Sequence, residues 1–384
     1  MKPFVFNSTR SIITECGALQ KIAEICKQTG MTKPLVVTDQ GIVNVGLMAK
    51  LETALQAGQM EYSAYKEVVA DPPESVVYAA LEVLKEGGND GVIGFGGGSS
   101  MDTAKLIALM ASTGAKLDDI YGVGVAEGSR LPLILIPTTA GTGSEVTAVA
   151  IVTTGETTKA GVVANQLYPD VALLDAELTV GLPPHITAAT GVDAMVHAIE
   201  AFTSARLKNV YADMLAKEAL RLLSTNIMKA TNEGSDLEAR QAMLLGACLA
   251  GQAFANAPVA AVHALAYPLG GHYHIPHGLS NSLVLPHVMR FNKPEAAELY
   301  AELAPIIMGE TVEGDAETVT EALITYIEKL ISDLKIPSTL KEMKVPEADL
   351  PMLASDGMKQ QRLLINNPRE VTEADALAIY QAAF

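Results

Sequence analysis

The sequence predicts two domains: an N-terminal α/β domain with a parallel sheet, residues 1–182, and an all-helical C-terminal domain, residues 183–384. In the first half, short apolar runs alternate with helical patterns, as they do in successive βα units. From Pro183 onward, Ala, Leu and Met recur at helical spacing. A chain of 384 residues also exceeds the usual size of a single hydrophobic core, which favours two domains.

The strands of the first domain are predicted from continuous apolar runs bounded by glycine, proline or acidic residues. They lie at 34–39, 61–69, 91–95 and 131–137. Helices are predicted around them, at 17–29, 44–57, 73–86 and 101–112. Continuous apolar strands indicate a sheet that is covered on both faces. Ligands of such sheets bind at the carboxyl ends of the strands.

The second domain is predicted to contain only helices. They lie at 185–204, 209–232, 236–256, 259–270, 294–308, 315–334 and 372–383. Residues 242–266 are uncharged and apolar enough to resemble a membrane span, but Gln252, Asn256 and Pro258 interrupt them. A pair of buried core helices is therefore favoured over a bilayer span.

Composition narrows the class of partner and the compartment. The 27 basic and 44 acidic side chains give a net charge of −17, which argues against nucleic acid and anionic membrane surfaces as partners. The three cysteines lie far apart without a C-x-x-C pair, so a disulfide framework is not expected. The N-terminus lacks the apolar run of a signal peptide. We therefore expect a cytoplasmic protein.

Two turns of the first domain have the composition of a phosphate-binding surface. Residues 96–105, GGGSSMDTAK, follow a predicted strand and open a predicted helix. Glycines let the backbone approach an anion closely, and helix N-termini attract negative charge. The turn is neither the G-x-G-x-x-G fingerprint nor a Walker loop, so a tight structural turn is the alternative. Residues 138–147, after the strand at 131–137, are rich in threonine, serine and glycine, which suits a sugar–phosphate surface.

Asp39 ends another predicted strand of the same domain. A carboxylate at this place can accept hydrogen bonds from both ribose hydroxyls of a nucleotide, and it would repel a 2′-phosphate. On sequence alone, a solvated turn residue is an equal alternative.

The second domain carries the pattern of a buried metal site. Residues 241–289 contain no Asp, Glu, Lys or Arg but hold five of the seven histidines. Neutral imidazole binds divalent cations, and a nearby Lys or Arg would repel them. Upstream, Asp193 and His197 stand four residues apart on a predicted helix, where they share one face and can grip a single ion. We expect the other ligands to come from the charge-free segment.

Several segments together resemble the iron-containing (group III) alcohol dehydrogenases. They are the two turns above, GVDAMVHAIEAF at 191–202, HALAYPLG at 263–270 and IPHG at 275–278, and the resemblance runs nearly end to end. The resemblance implies a Rossmann-like dinucleotide-binding domain and a helical domain, in the fold shared with dehydroquinate synthase, with the active site between the two. It implies an NAD-dependent enzyme that interconverts an alcohol with an aldehyde or ketone, and a homodimer or higher oligomer.

The resemblance also implies roles for particular residues. A metal ion is expected on Asp193, His197, His263 and His277. Iron, Fe²⁺, is favoured by the resemblance, although the ligand chemistry is equally compatible with Zn²⁺. The acidic residue at position 39 implies NAD rather than NADP. The cofactor contacts are expected at Asp39, Gly96, Gly97, Gly98, Ser99, Asp102, Thr138, Thr139, Thr142, Thr147 and Lys159.

One position departs from the family pattern. Where this chain has Tyr267, many members have a histidine. In those members the histidine lies beside the metal and can relay protons. A phenol with an ordinary pKa of about 10 cannot replace an imidazole near neutral pH. We therefore expect the catalytic histidines to be His277 together with His272 or His274 as the relay, or water in their place. Tyrosine here also resembles the hydroxyacid–oxoacid transhydrogenase branch, which leaves the hydride acceptor open.

Three other functions compete with this interpretation. A dehydroquinate-synthase-like lyase would use a Glu-His-His metal set and a basic pocket, whereas this chain has Asp193 and no Lys or Arg in 241–289. A maleylacetate-reductase-like enzyme would need no metal. A non-enzymatic nucleotide- or metal-binding subunit would show no change in NADH absorbance with any aldehyde.

Overall fold

A computed structural model describes residues 3–155 and 158–384. The chain forms two compact units. The α/β unit comprises Asn7–Gly181, and the helical unit comprises Leu182–Phe384 together with the N-terminal residues up to Phe6. The fold class predicted from the sequence, a parallel α/β unit and an all-helical unit, is confirmed.

The N-terminal segment belongs to the helical unit because of its aromatic side chains. The rings of Phe4 and Phe6 pack against Tyr211, with centroid distances of 5.8 and 5.4 Å. The predicted division into 1–182 and 183–384 differs from the observed units in this segment and at Leu182, which belongs to the helical unit.

The α/β unit is built on nine strands in its described residues. They are β1 (Ser11–Thr14), β2 (Pro34–Asp39), β3 (Ser63–Val68), β4 (Gly91–Gly96), β5 (Gly122–Val123), β6 (Leu133–Pro137), β7 (Val149–Thr154), β8 (Thr158–Val163) and β9 (Val171–Leu174). Six of them form an all-parallel sheet with the order β1-β9-β6-β4-β2-β3. A smaller sheet has the order β5-β8-β7, in which β7 and β8 are antiparallel.

Both faces of the large sheet are buried, as continuous apolar strands predict. Val36 pairs with Ile93, and Ile93 pairs with Ile134, so these side chains form a row on one face and enter one hydrophobic cluster. The alternate residues, such as Val37 and Leu135, point the other way into a second cluster.

Helices cover the sheet. They are α1 (Ile22–Gln28), α2 (Gln40–Asn44), α3 (Leu47–Ala57), α4 (Glu74–Gly87), α5 (Gly98–Thr113) and α6 (Leu117–Ile120). The single helix predicted at 44–57 was wrong at its start, because Gly46 adopts the left-handed conformation with φ of 78° and separates α2 from α3. The sequence interpretation also missed β1, β5, β9 and the β7–β8 hairpin, whose segments are short or carry polar residues.

The helical unit contains no strand in its described residues, as predicted. Its helices are α7 (Pro184–Thr203), α8 (Val210–Asn232), α9 (Leu237–Asn256), α10 (Ala261–Tyr273), α11 (His277–Met308), α12 (Ala316–Asp333), α13 (Leu350–Gly357), α14 (Gln361–Leu364) and α15 (Glu373–Ala382). Side chains cap three of the long helices at their N-termini: Asn209 for α8, Asp236 for α9 and Asp315 for α12.

The helix predicted at 294–308 was too short. The structure has one helix, α11, that begins at His277 and contains Pro286, Pro294 and Pro305. Residues 278–286 are all buried, so they show no amphipathic period, and prolines usually end helices. Both facts hid the first half of this helix from the sequence.

In the described residues, no single helix is long and apolar enough to span a membrane. The pair α9 and α10 meets the length and composition criteria only when taken together, and its two helices are bent by 107°.

Candidate metal centre

One face of α7 carries two of the predicted metal ligands. Asp193 and His197 are 1% and 4% exposed, and their spacing of four residues places them on successive turns of the same face. Glu200 follows one turn later on that face and is also buried. The sequence interpretation assigned Glu200 no role, although the spacing i, i+4, i+7 was visible in the sequence.

Two neighbouring helices supply the other predicted ligands. His263 lies in the first turn of α10, and His277 is the first residue of α11. His274 ends α10 in the left-handed conformation, with φ of 54°, so the chain reverses and α11 returns past the start of α10.

The four predicted ligands converge. One donor atom from each of Asp193, His197, His263 and His277 lies within 4.8 Å of the others. The rings of His197 and His263 stack with centroids 4.7 Å apart, and those of His263 and His277 lie 5.3 Å apart. Three of the four residues are buried, whereas the side chain of His277 is 41% exposed.

The amide of Asn281 contacts three of the four predicted ligands. Its nitrogen donates to Asp193 Oδ1 at 2.6 Å and lies 3.2 and 3.3 Å from the Nε2 atoms of His263 and His277. With one amide hydrogen on Asp193, the other can be donated to only one of these two Nε2 atoms. Both Nε2 atoms are directed toward the carboxylate of Asp193 and the amide of Asn281. The sequence interpretation missed Asn281, which stands four residues after His277 on the same helix face.

The electrostatics of the site favour a carboxylate surrounded by imidazoles. Burial by itself raises the pKa of Asp193, but His197, His277 and His263, with the amide of Asn281, outweigh it and hold that pKa below its ordinary value. A set of three imidazole nitrogens and one carboxylate oxygen, without a thiolate, fits Fe²⁺ or Zn²⁺. The residues present therefore fit the ion that the family resemblance implies.

The predicted proton-relay residues lie elsewhere on α10. His272 Nε2 lies 2.5 Å from Asp356 Oδ2, and nine residues of helix separate it from His263, or about 13 Å along the axis. Tyr267 is nearer to the ligands, since its ring centroid lies 6.0 Å from that of His277. The structure thus groups His277 with the ligands and pairs His272 with a carboxylate. The relay role of His272 and His274 stays a prediction.

The α/β unit places the predicted nucleotide-binding turns side by side. Gly96 ends β4 and Thr138 follows β6, and the amide of Thr138 donates to the carbonyl of Gly96 at 3.0 Å. Gly96 has φ of 149°, and a Cβ there would lie 2.8 Å from Ser100 Oγ and 3.2 Å from Asp39 Oδ2. Only a residue without a side chain therefore fits at the point where Asp39, Ser100 and the start of α5 meet.

The other residues of the first turn lie at the N-terminus of α5. Gly97 is the N-cap, Gly98 and Ser99 begin the helix, and a Cβ on Gly98 would lie 3.1 Å from the side chain of Thr142 in the second turn. Thr139 lies near Gly97, since a Cβ on that glycine would be 3.8 Å from Thr139 Oγ1.

A buried lysine joins the two turns. Lys105 Nζ donates to Ser144 Oγ at 2.8 Å and to Thr147 Oγ1 at 3.2 Å. Ser144 Oγ in turn donates to Asp102 Oδ1 at 2.6 Å. Burial lowers the pKa of Lys105 to about 8, in spite of the nearby carboxylates of Asp102 and Glu145. The sequence interpretation assigned no role to Lys105, which holds Asp102 and Thr147 in place.

Two predicted cofactor residues have structural partners of their own. Asp39 caps α2 by accepting a hydrogen bond from the amide of Ile42 at 3.0 Å, and Ser100 Oγ lies 3.3 Å from its other oxygen. Lys159, on β8, forms an ion pair with Asp71 at 2.5 Å.

Comparison with known families covers nearly the whole chain. Residues 9–176 match the family model described as iron-containing alcohol dehydrogenase, and residues 187–384 match that of the C-terminal part of the same family. The chain belongs to the iron-containing alcohol dehydrogenase family. It is therefore an oxidoreductase of that family, as the sequence predicted.

Known relatives agree with this assignment. The chain is 41% identical over 371 residues to long-chain-alcohol dehydrogenase 1 of Geobacillus thermodenitrificans, covering 96% of this chain and 93% of that protein. A crystal structure of 1,3-propanediol oxidoreductase is 34% identical, with a TM-score of 0.96 and full coverage of both chains. A sulfoacetaldehyde reductase from Bifidobacterium kashiwanohense, in complex with NAD⁺, is 29% identical, with a TM-score of 0.89 and coverage of 100% and 99%.

Proposed function

We propose that the protein is an NAD-dependent alcohol dehydrogenase that interconverts an alcohol with an aldehyde or ketone and uses a divalent ion, Fe²⁺, in its helical unit. The observation that carries this proposal is the convergence of Asp193, His197, His263 and His277 within 4.8 Å. A divalent ion held there supplies a Lewis acid that stabilises negative charge on the substrate oxygen.

The protein contributes binding and orientation. Asp193 and the three imidazoles hold the ion, and the exposed side of His277 leaves access from one direction. The two turns at Gly96 and Thr138 are proposed to hold the pyrophosphate, and NAD supplies the hydride acceptor. Hydride transfer then needs the nicotinamide carbon and the alcohol carbon in contact and shielded from water.

The carboxylate of Asp39 supports NAD rather than NADP. It ends β2 beside the first turn of α5, where a ribose is expected, and no cation is paired with it in the described residues. A negative charge there accepts bonds from ribose hydroxyls and repels a 2′-phosphate.

The surroundings of the ligands support a neutral substrate. The ring of Phe254 stacks on His197 with centroids 4.4 Å apart, so an apolar surface adjoins the ligand set. The segment 241–289, which includes two of the four ligands, has no Lys or Arg to bind a sulfonate or carboxylate. We therefore propose small neutral alcohols and aldehydes, in preference to an anionic aldehyde such as sulfoacetaldehyde.

We also propose an oligomeric state for the protein. Val5, Val210, Tyr211 and Met214 are exposed apolar side chains of the helical unit, and they support a homodimer or higher oligomer. Light scattering of the purified protein tests this state. The cytoplasmic location stays a prediction from the cysteine spacing.

The decisive experiment is metal analysis of anaerobically purified protein, followed by turnover of a panel of alcohols and aldehydes with NAD(H) and NADP(H). We expect one ion per chain and NAD-linked turnover of neutral substrates. Asp193→Asn, which keeps the side-chain volume, is expected to lose the ion. Full turnover by metal-free protein would contradict the proposal, and so would a preference for sulfoacetaldehyde over every neutral aldehyde.

A further inference from the structure

Glu200 joins the metal-ligand face of α7 to the start of α10. Its side chain is 5% exposed, and its Oε2 lies 2.6 Å from Nδ1 of His263, which is 3% exposed. Its Oε1 accepts a hydrogen bond from the amide of Val262 at 2.7 Å. One carboxylate oxygen of Glu200 thus contacts the proposed ligand His263, and the other accepts a hydrogen bond from the adjacent residue, Val262.

This contact determines which nitrogen of His263 carries the proton. A carboxylate beside Nδ1 accepts its hydrogen, so the lone pair is left on Nε2. Nε2 is the nitrogen that faces the ligand set, 3.2 Å from the amide nitrogen of Asn281. The pair also fixes the rotation of the ring, because both His263 and Glu200 are enclosed.

We propose that Glu200 is a positioning residue of the metal centre: it holds His263 as the Nε2 ligand, and its charge adds to that of Asp193 in attracting a divalent cation. With Asp193, it gives the site two buried carboxylates, which together balance the two positive charges of the ion. Such carboxylate–histidine–metal arrangements strengthen metal binding. The inference rests on the proposed metal-dependent function.

A purely structural role for Glu200 makes a different prediction. Ala260, at the N-cap of α10, provides no side-chain hydrogen bond, so Glu200 also caps this helix from α7. If capping is its whole role, removing the carboxylate lowers stability and leaves the affinity for metal unchanged.

The test measures Co²⁺ binding to chelator-treated protein by competition with a chromophoric chelator. Glu200→Gln keeps the volume and an acceptor oxygen but loses the charge, and Glu200→Met loses both. Asp356→Asn is the matched control, since His272 and Asp356 form a similar pair at 2.5 Å outside the ligand set. Thermal unfolding of each metal-free variant measures the capping contribution separately.

We expect both Glu200 variants to bind Co²⁺ about 10–100-fold more weakly than the wild type, Glu200→Met the more so, and the control to bind it normally. We also expect the visible bands of bound Co²⁺ to shift in the Glu200 variants. Wild-type affinity and spectrum in both variants would overturn the inference. If Glu200→Met does not fold, Glu200→Gln decides alone. If the wild type itself binds no Co²⁺, the proposed metal function fails and this inference fails with it.

Discussion

Gly278 is the point at which the backbone of α11 touches α7, one residue after the proposed ligand His277. A Cβ added at Gly278 would lie 2.5 Å from the carbonyl oxygen of Ala189 and 3.1 Å from Cβ of Asp193. Gly278 lies in a helix without a positive φ, so alanine suits its backbone conformation and only the contact is at issue. Gly278→Ala is therefore a clean test of whether this close approach assembles the metal site.

The size of the disturbance follows from the distances. Restoring an ordinary contact of 3.4 Å requires the two helices to separate by 0.9 Å (3.4 − 2.5). Metal–ligand distances tolerate only about 0.2 Å, so His277 moves out of reach of an ion held by Asp193 and His197. We expect affinity for Co²⁺ or Zn²⁺ to fall at least about tenfold, and the overpacked core to cost about 1–3 kcal/mol of stability.

Chelator competition measures the affinity, and chemical denaturation of metal-free protein measures the stability. Gly270→Ala is the control, because a Cβ there would meet only the carbonyl oxygen of Ile275 at 3.6 Å. This control is expected to be neutral or slightly stabilising, since alanine favours a helix over glycine. Wild-type metal affinity in Gly278→Ala would refute the reasoning that the α7–α11 contact sets the ligand geometry.

Four further predictions follow from named groups. Asp39→Asn keeps a helix-capping side chain but loses the charge, so the NADP/NAD ratio of kcat/KM should rise about fivefold or more; an unchanged ratio removes Asp39 from cofactor selection. Burial raises the pKa of Glu145 from 4.5 to about 7, so the folded protein binds a proton that the unfolded chain releases, and Glu145 should lower the stability by about 3 kcal/mol as the pH rises through this window. Glu145→Gln should remove this contribution, so that the variant loses less stability than the wild type in denaturation measured between pH 4.5 and 7.5. Chelation should lower the unfolding free energy by about 2.7 kcal/mol relative to protein with an ion at 100-fold its Kd, and calorimetry that shows no difference would argue against a specific site. Replacing both His272 and His274 with alanine should alter the pH–rate profile if either relays protons, whereas an unaltered profile assigns the relay to water.

The sequence predicted the central strands and most helices because their patterns are long and regular. The continuous apolar run of β6 indicates a buried strand, and the amphipathic period of α4 indicates a helix. β9 lies between β1 and β6 in the sheet but has four residues, too few for a period to show. The first half of α11 was missed for the opposite reason: it is buried on every side, so no polar face marks the helical repeat.

For the site, the sequence predicted which side chains converge but not what holds them. The spacing of Asp193 and His197 indicated one part of the site, the family resemblance named all four proposed ligands, and the structure brings them together. Glu200 and Asn281 were not named, because their contacts with Asp193 and His263 depend on how three helices pack. Lys105 was missed in the same way, since only the fold shows that its amine reaches the second turn.

The unequal exposure of the four proposed ligands has a chemical consequence. Asp193, His197 and His263 are enclosed, and of the four only His277 is exposed, so solvent reaches this cluster from the side of His277. Other small molecules, such as dioxygen and peroxide, can approach from the same side as an alcohol. Ferrous iron bound there would thus be prone to oxidation during turnover. We expect the protein to lose activity in air faster than it unfolds.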